Sequence, residues 1–285
     1  MNGVIVIDKD KGCTSRDVVN KVGKILGTKK VGHTGTLDPI ATGVLVLPIG
    51  KALKISELIV SEDKEYIARV IIGYETDTLD VTGEKIHEKK IKITRDDVLK
   101  VLDSFKGKIK QQVPKYAAVK INGKKLYEYA REGIDVELPV REVEIYELEL
   151  ISEIKEVDGY YEFEMKTLVS KGTYIRSLIR DIGNSLGSYG TMKELRRIKQ
   201  GDFTIDMAYK ISDIEKGNYK LLAIDEVLRD LPQVVVDDEL LFKIKNGVVL
   251  DKFFDSDMAL IKDKMGNCIA IYKNVSDKAR VFKMF

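Results

Sequence analysis

One carboxylate stands apart chemically in this 285-residue chain. Asp38 lies in Gly32-His33-Thr34-Gly35-Thr36-Leu37-Asp38-Pro39-Ile40-Ala41-Thr42-Gly43, with a lone histidine, several threonines and no second acid. A carboxylate held in one geometry can act as a nucleophile or as a general base. The same composition also suits a plain tight loop, because glycine tolerates positive φ and aspartate bonds its own backbone. Phosphate loops fit poorly, since neither Gly-Lys-Ser/Thr nor Gly-x-Gly-x-x-Gly follows. Gly32-x-x-Gly35 matches the short clamp of an RNA-binding KH module, a weak signal by itself. No metal site is expected: the other histidine is His87, and Cys13 and Cys268 are far apart.

The elements around Asp38 must hold it still. Gly43 to Ile49 predicts a buried strand directly after the loop, so the carboxylate connects to the core. Gly3 to Asp8 reads as another buried strand. Thr14 or Ser15 caps a helix whose apolar positions Val18, Val19, Val22, Ile25 and Leu26 follow the helical period up to Gly27. Ala52 to Val60 predicts a helix and Glu65 to Gly73 an alternating strand. Thr76 to Asp80 is a polar turn. Thr94-Arg95-Asp96-Asp97 opens a helix through Phe105, with Val98, Leu99, Val101, Leu102 and Phe105 on its buried side. Val143 to Leu150 and Tyr160 to Val169 predict antiparallel strands, with a hairpin turn at Asp158-Gly159. A helix runs from about Tyr174 to Leu186 and stops at Gly187. From about Leu231 short apolar runs alternate with polar turns, as in a small β unit.

The net charge of +2 conceals a strong segregation. Lys106 to Arg131 carries eight basic residues against the single acid Glu128, whereas Asp135 to Glu164 carries eleven acids against Arg141 and Lys155. Such a division predicts one positive surface suited to phosphate. Lysines interleaved with Tyr116, Tyr127 and Tyr129 suit backbone neutralisation together with base stacking. No apolar stretch approaches the ~20 residues of a membrane span. The N-terminus lacks a basic region followed by an apolar one, and two unpaired cysteines fit a reducing compartment. A cytoplasmic protein without membrane attachment is expected.

Five motifs in order resemble the TruB family of bacterial tRNA pseudouridine-55 synthases: Asp8-Lys9-Asp10-Lys11-Gly12-Cys13-Thr14-Ser15, the Asp38 segment, Lys64-Glu65-Tyr66, Thr76-Asp77-Thr78-Leu79-Asp80 and Lys171-Gly172-Thr173-Tyr174-Ile175-Arg176. The resemblance implies an α+β fold: a pseudouridine-synthase catalytic domain over residues 1–228, with a mixed, mainly antiparallel sheet flanked by helices, and a PUA-like β-barrel over 229–285. It further implies an RNA-clamping insertion over about 106–135. By the same resemblance Asp38 is the catalytic carboxylate and Arg176 pairs with it and keeps it ionised. Tyr66 stacks on the extruded base, His33 takes the place the base leaves, and Tyr174 and Leu195 complete the pocket. Arg196 and Arg197 lie near RNA, and Lys9 and Asp80 support the site among the substrate-binding residues. Asp10 stands where the family has proline, and Ala117 where it usually has serine. The implied partner is the tRNA T stem-loop, with no cofactor and no guide RNA, and a monomer is expected.

Three other readings compete. A non-catalytic RNA-binding protein would not need Asp38, Tyr66, Tyr174 and Arg176 together. The guide-dependent branch of the superfamily carries extra N-terminal segments, whereas here the first strand starts at Gly3. A hydrolase built on Asp38 would want a second acid or a metal.

Overall fold

The computed structural model describes residues 1–60 and 62–285. The chain opens with strand β1 (Gly3–Lys9) and helix α1 (Ser15–Ile25). Thr14 caps α1 in a reciprocal box with Asp17, which satisfies two of the free backbone donors at the helix start. The other possible cap, Ser15, is turned inward to the Asp38 loop. Strand β2 (Thr42–Ile49) pairs antiparallel with β1, and its side chains from Gly43 onward are buried.

The helix expected over Ala52 to Val60 divides into a 3₁₀ turn, Gly50–Ile55, and the short α2 (Ser56–Val60). Its buried residues are spaced accordingly: Ala52 to Ile55 is a step of three, and Ile55 to Ile59 a step of four. Then follow β3 (Lys64–Ile72), the small hairpin of β4 (Tyr74–Thr76) and β5 (Lys85–Glu88), and α3 (Arg95–Ser104). Thr94 caps α3 as expected, but only Val98 and Leu102 are fully buried and Leu99 faces solvent. Val101 and Phe105 pack half-buried against the same core, so the buried stripe is narrower than the helix pattern offers.

Next come β6 (Gly107–Gln112), the two-residue strands β7 (Lys120–Ile121) and β8 (Lys124–Lys125), and α4 (Leu126–Arg131). Beyond them lie β9 (Val140–Leu150), β10 (Lys155–Val157), β11 (Tyr160–Val169), α5 (Ile175–Ser185), β12 (Gly190–Gln200) and β13 (Phe203–Thr204). Asp158 and Gly159 both take positive φ and form the two-residue hairpin turn, which joins β10 rather than β9 to β11. β9 still lies antiparallel beside β11.

Among the described residues these strands form a nine-stranded sheet of order β1-β2-β12-β3-β11-β9-β6, with β10 and β13 on its flanks. All its pairings are antiparallel except β2 with β12, the mixed, mainly antiparallel α+β sheet expected. α1, α3 and α5 pack on one face over a core that includes Val22, Leu45, Leu47, Val70, Leu102, Ile179 and Met192. That cluster buries the apolar stripes of the helices against the sheet, the main favourable contribution to folding.

Two short helices, α6 (Ile211–Glu215) and α7 (Ile224–Val227), lead to a second sheet. It consists of β14 (Gln233–Val235), β15 (Leu250–Asp251), β16 (Met258–Lys262), β17 (Cys268–Val275) and β18 (Lys278–Met284), in the order β14-β16-β17-β18-β15. Helix α8 (Asp238–Lys245), absent from the sequence reading, closes its end, with Ile244 buried in the same core as Tyr272. This half-barrel is the PUA-like unit. Its Leu260, Ile271 and Phe282 pack with Val4, Val6, Val44 and Val46, so it rests on the opposite face of the first sheet from the helices.

The segregated charges are partly matched by the sheet. Lys108 and Lys110 of β6 stand directly across from Glu144 and Glu142 of β9. Lys115 pairs with Asp135, and Lys124 with Glu132. The basic stretch is therefore less positive in space than along the sequence.

Candidate active site around Asp38

The loop that carries Asp38 is held from three sides. Lys9, wholly buried at the end of β1, donates its ammonium protons to the carbonyls of Ala41 (2.7 Å), Asp10 (3.1 Å) and Pro39 (3.4 Å). Ser15 Oγ accepts from Leu37 N at 2.9 Å and donates to Leu37 O at 3.1 Å. Gly12 N donates to Pro39 O at 2.8 Å, and Ala41 N donates to Asp38 O at 3.0 Å, closing the turn. Burial pushes the Lys9 ammonium below its ordinary pKa, against the opposing pull of Cys13, Asp38 and Asp10. Lys9 braces the loop from behind and offers no surface to a ligand. That position corrects the expectation that it belongs with the substrate-binding residues.

On the other side, Arg197 is also wholly buried. Its Nε donates to Val44 O at 2.7 Å and its Nη2 to Gly35 O at 2.9 Å. The expectation that Arg197 lies near RNA is corrected: it ties the loop to β2. Arg196, next to it, forms a two-point pair with Asp8 at 3.0 Å on both arms and stays partly exposed. Gly43 sits where β2 meets β12 with φ 99°, and a Cβ there would lie 2.1 Å from Arg197 O. Only glycine fits this close approach.

Asp38 and Arg176 come together from positions 138 residues apart. Arg176 Nε donates to Asp38 Oδ2 at 2.9 Å and Nη2 to Oδ1 at 3.2 Å, a two-point contact between planar groups. The remaining donors reach the Thr78 carbonyl at 2.9 Å and the Tyr116 carbonyl at 3.0 Å. The arginine side chain is 6% exposed whereas that of Asp38 keeps 34%, so the carboxylate looks outward over a fixed cation.

Burial pushes the Asp38 carboxyl above its ordinary pKa. Arg176 opposes that rise, Asp80 adds to it by like-charge repulsion, and Lys9 works against it. Arg176 favours the ionised form of Asp38, as expected, but burial is the larger influence and the net direction is upward. Asp80 is buried, and its Oδ1 accepts from Thr82 N (2.9 Å) and Thr78 Oγ1 (2.9 Å). It orders the turn that presents the Thr78 carbonyl to Arg176. Leu79, inside this turn, takes φ 64°, a conformation that costs a non-glycine residue energy and is held by its surroundings.

Tyr66 and Leu195 lie on the neighbouring strands β3 and β12, two register steps apart, in the same apolar cluster as Leu37, Ile40 and Ile175. Tyr174 occupies the position before α5, its N–H held by Gln111 Oε1 at 2.8 Å, and packs with Val113, Ala117 and Leu126. Burial raises its phenol pKa, with Arg141 and Arg176 pulling the other way and Asp38 adding to the rise. His33 lies upstream in the loop, and burial, Arg16 and Arg197 hold its imidazole below the ordinary pKa. Its Nδ1 is buried with no hydrogen-bond partner among the described residues.

Sequence reading assigned no site role to Gln111 or the Thr78 carbonyl, named Ser15 only as a possible helix cap and in the first motif, and named Tyr116 only among the tyrosines of the basic stretch. Tyr116 stands out: its hydroxyl donates to Asp77 Oδ2 at 3.2 Å while its carbonyl holds Arg176. Its place in the basic stretch was the available signal.

The chain is similar to the structure described as "Structure of H/ACA RNP bound to a substrate RNA containing 2'-deoxyuridine", with a TM-score of 0.71 at 23% identity over 99% of this chain and 84% of that one. It is 42% identical to the tRNA pseudouridine synthase B of Bacillus pumilus, covering 99% of this chain and 96% of the relative. It is 41% identical to that of Bacillus subtilis, covering 95% and 93%. Residues 23–175 match the profile of the TruB family pseudouridylate synthase N-terminal domain, and 176–236 that of the tRNA pseudouridylate synthase B C-terminal domain. Fold and sequence thus define a pseudouridine synthase, an isomerase. The chain belongs to the TruB family.

Proposed function

We propose that this chain isomerises uridine-55 in the T loop of tRNA to pseudouridine, with Asp38 as the catalytic carboxylate. The observation that carries the reading is the two-point contact of Asp38 with Arg176, which fixes one reactive oxygen pair at the edge of the apolar cluster containing Tyr66 and Leu195. The reaction breaks the N1–C1′ bond and forms C5–C1′; C5 loses a proton and N1 gains one. No electrons or groups enter or leave, so the atoms balance without a cofactor. The ionised carboxylate attacks C1′ or C6, or removes the 2′ proton, and each route begins from Asp38.

A stacked loop base must be extruded first, at a cost of a few kcal/mol. In this reading Tyr66 stacks on the extruded base, Leu195 and Tyr174 line its pocket, and His33 fills the place it leaves. Residues 1–228 act as the catalytic unit, with an insertion over about 106–135 that clamps RNA, and 229–285 as the PUA-like RNA-binding unit. The profile boundary at 175/176 falls at the start of α5, whose Ile175, Leu178, Ile179 and Ile182 belong to the main core. A division after about 228 therefore fits the packing better. The relatives named above as tRNA pseudouridine synthases support tRNA as substrate. The reading includes a cytoplasmic monomer that acts without guide RNA.

The test is tritium release from a tRNA transcript labelled at uridine C5, with purified protein alone. Release from the T-loop uridine, lost in Asp38→Asn, supports the reading. Absence of release despite tRNA binding overturns it.

A further inference from the structure

A cleft of about 470 Å³ opens between α1 and the loop after it, lined by Arg16, Asn20, Lys24, Thr28, Lys29 and Val31 among others. Arg16, Asn20 and Lys24 follow one another at steps of four, which places them along one face of the helix. The opposite face, with Val18 and Val22, is buried in the core, and Val19 between the two faces forms an apolar part of the cleft wall. The cleft therefore presents a row of hydrogen-bond donors from the helix and a further ammonium, Lys29, from the loop. No carboxylate lines it.

The cations in this cleft are unmatched. Among the described residues, no ion pair involves Arg16, Lys24 or Lys29, whereas Lys21 on the same helix reaches Glu215 at 3.2 Å. The nearby acid, Asp17, is engaged by Thr14 at the helix cap. In the insertion, by contrast, Lys115 and Lys124 have acidic partners. Three exposed cations line the cleft with no acid among its lining residues, so an anion held there is attracted by all three.

The cleft also has a direction. Val31 bridges to Ile49 and Thr34 to Val46, so residues 31–34 run extended beside β2. At ~3.3 Å per residue His33 lies about 7 Å beyond the cleft wall.

We infer that this cleft binds backbone phosphates of the RNA beside His33, through Arg16, Lys24 and Lys29 with Asn20 as a neutral donor. The inference rests on RNA being the substrate, as proposed above. It places a phosphate-binding surface on α1 in addition to the insertion and the C-terminal unit.

The experiment measures tRNA affinity against salt by filter binding, in an Asp38→Asn background so that turnover does not enter. Each phosphate neutralised on a duplex or single strand contributes about 0.7–0.9 to the slope of log K against log salt. The variant Arg16→Gln/Lys24→Gln/Lys29→Gln should lower the magnitude of that slope by about 2 to 3. A control, Lys92→Gln/Lys100→Gln/Lys155→Gln, removes the same charge from exposed positions around α3 and β10 and should lower it by less than 1. Equal slopes for the two variants, or an unchanged slope for the cleft variant, overturn the inference. If the protein with Asp38 intact releases no tritium while the cleft variant still loses its slope, the phosphate site stands and the isomerase reading alone falls.

Discussion

Arg176 holds Asp38 by two nitrogens and, with the same guanidinium, holds the carbonyls of Thr78 and Tyr116. The cation that faces Asp38 is thus positioned by the polar turn after β4 and by the segment between β6 and β7 at once. A shift of either segment would be felt at Asp38 through one planar group.

Replacement of Asp38 by asparagine keeps the shape and removes the charge. Turnover should fall by about 10³-fold or more, since a carboxylate acting in proton transfer or as a nucleophile accounts for factors of that order. Affinity for tRNA should remain within a few-fold of the original because it derives mainly from phosphate contacts. Tritium release and filter binding on the same preparation check both halves.

The acid limb of the pH–rate profile should lie above the ordinary carboxylate range, because burial raises the pKa of Asp38. Arg176 pulls that pKa down, so Arg176→Met should move the limb to still higher pH while lowering the maximal rate. A limb that stays in place in the variant would show that another group controls it. The measurement is kcat/KM between pH 5 and 9 for both proteins.

Lys64 should give an alkaline signature in stability. Burial lowers its pKa to about 8, with Arg197 adding to the effect, from about 10.4 in the unfolded chain. Between these values the unfolded state binds more protons than the folded one, so this lysine makes unfolding free energy rise with pH. Below the folded pKa its penalty is fully present, and above the unfolded pKa it is gone. The slope approaches about 1.4 kcal/mol per pH unit at most. Lys64→Met should remove it, as read from urea unfolding at pH 7.5 and 9.5.

Gly43→Ala should destabilise by about 2–4 kcal/mol. The added Cβ collides with Arg197 O and the backbone has φ 99°, so β2 and β12 must separate where the Asp38 loop is anchored. A melting temperature within 2 °C of the parent would contradict this; the order expected is a drop of about 5 °C or more for a chain of this size.

Much of the fold was legible locally. The capping residues Thr14 and Thr94, the Asp158-Gly159 turn and the alternation in β3 and β11 each depend on neighbours within a few residues, and each forms as the sequence predicts. Asp38, Arg176, Tyr66 and Tyr174 were singled out by ordered motifs. Helix α8 and strand β18 were missed because basic residues interrupt their apolar runs, so neither shows a clean helical or alternating period.

The sequence alone determined which residue types stand in the loop, and hence that its single titratable acid is a carboxylate, Asp38. The tertiary structure decided which charges are buried and what each one faces. Lys9 and Arg197 look like surface cations in the sequence, yet they are wholly buried and hold backbone carbonyls of the loop. Thr78 and Tyr116 contribute carbonyl oxygens, which every residue carries, so no side-chain pattern could announce them. Lysines of the basic stretch found acids across β6 and β9 because strand register, a long-range property, set them opposite. Burial and pairing between residues more than a hundred positions apart are decided by packing, and packing also sets the pKa of the carboxylate.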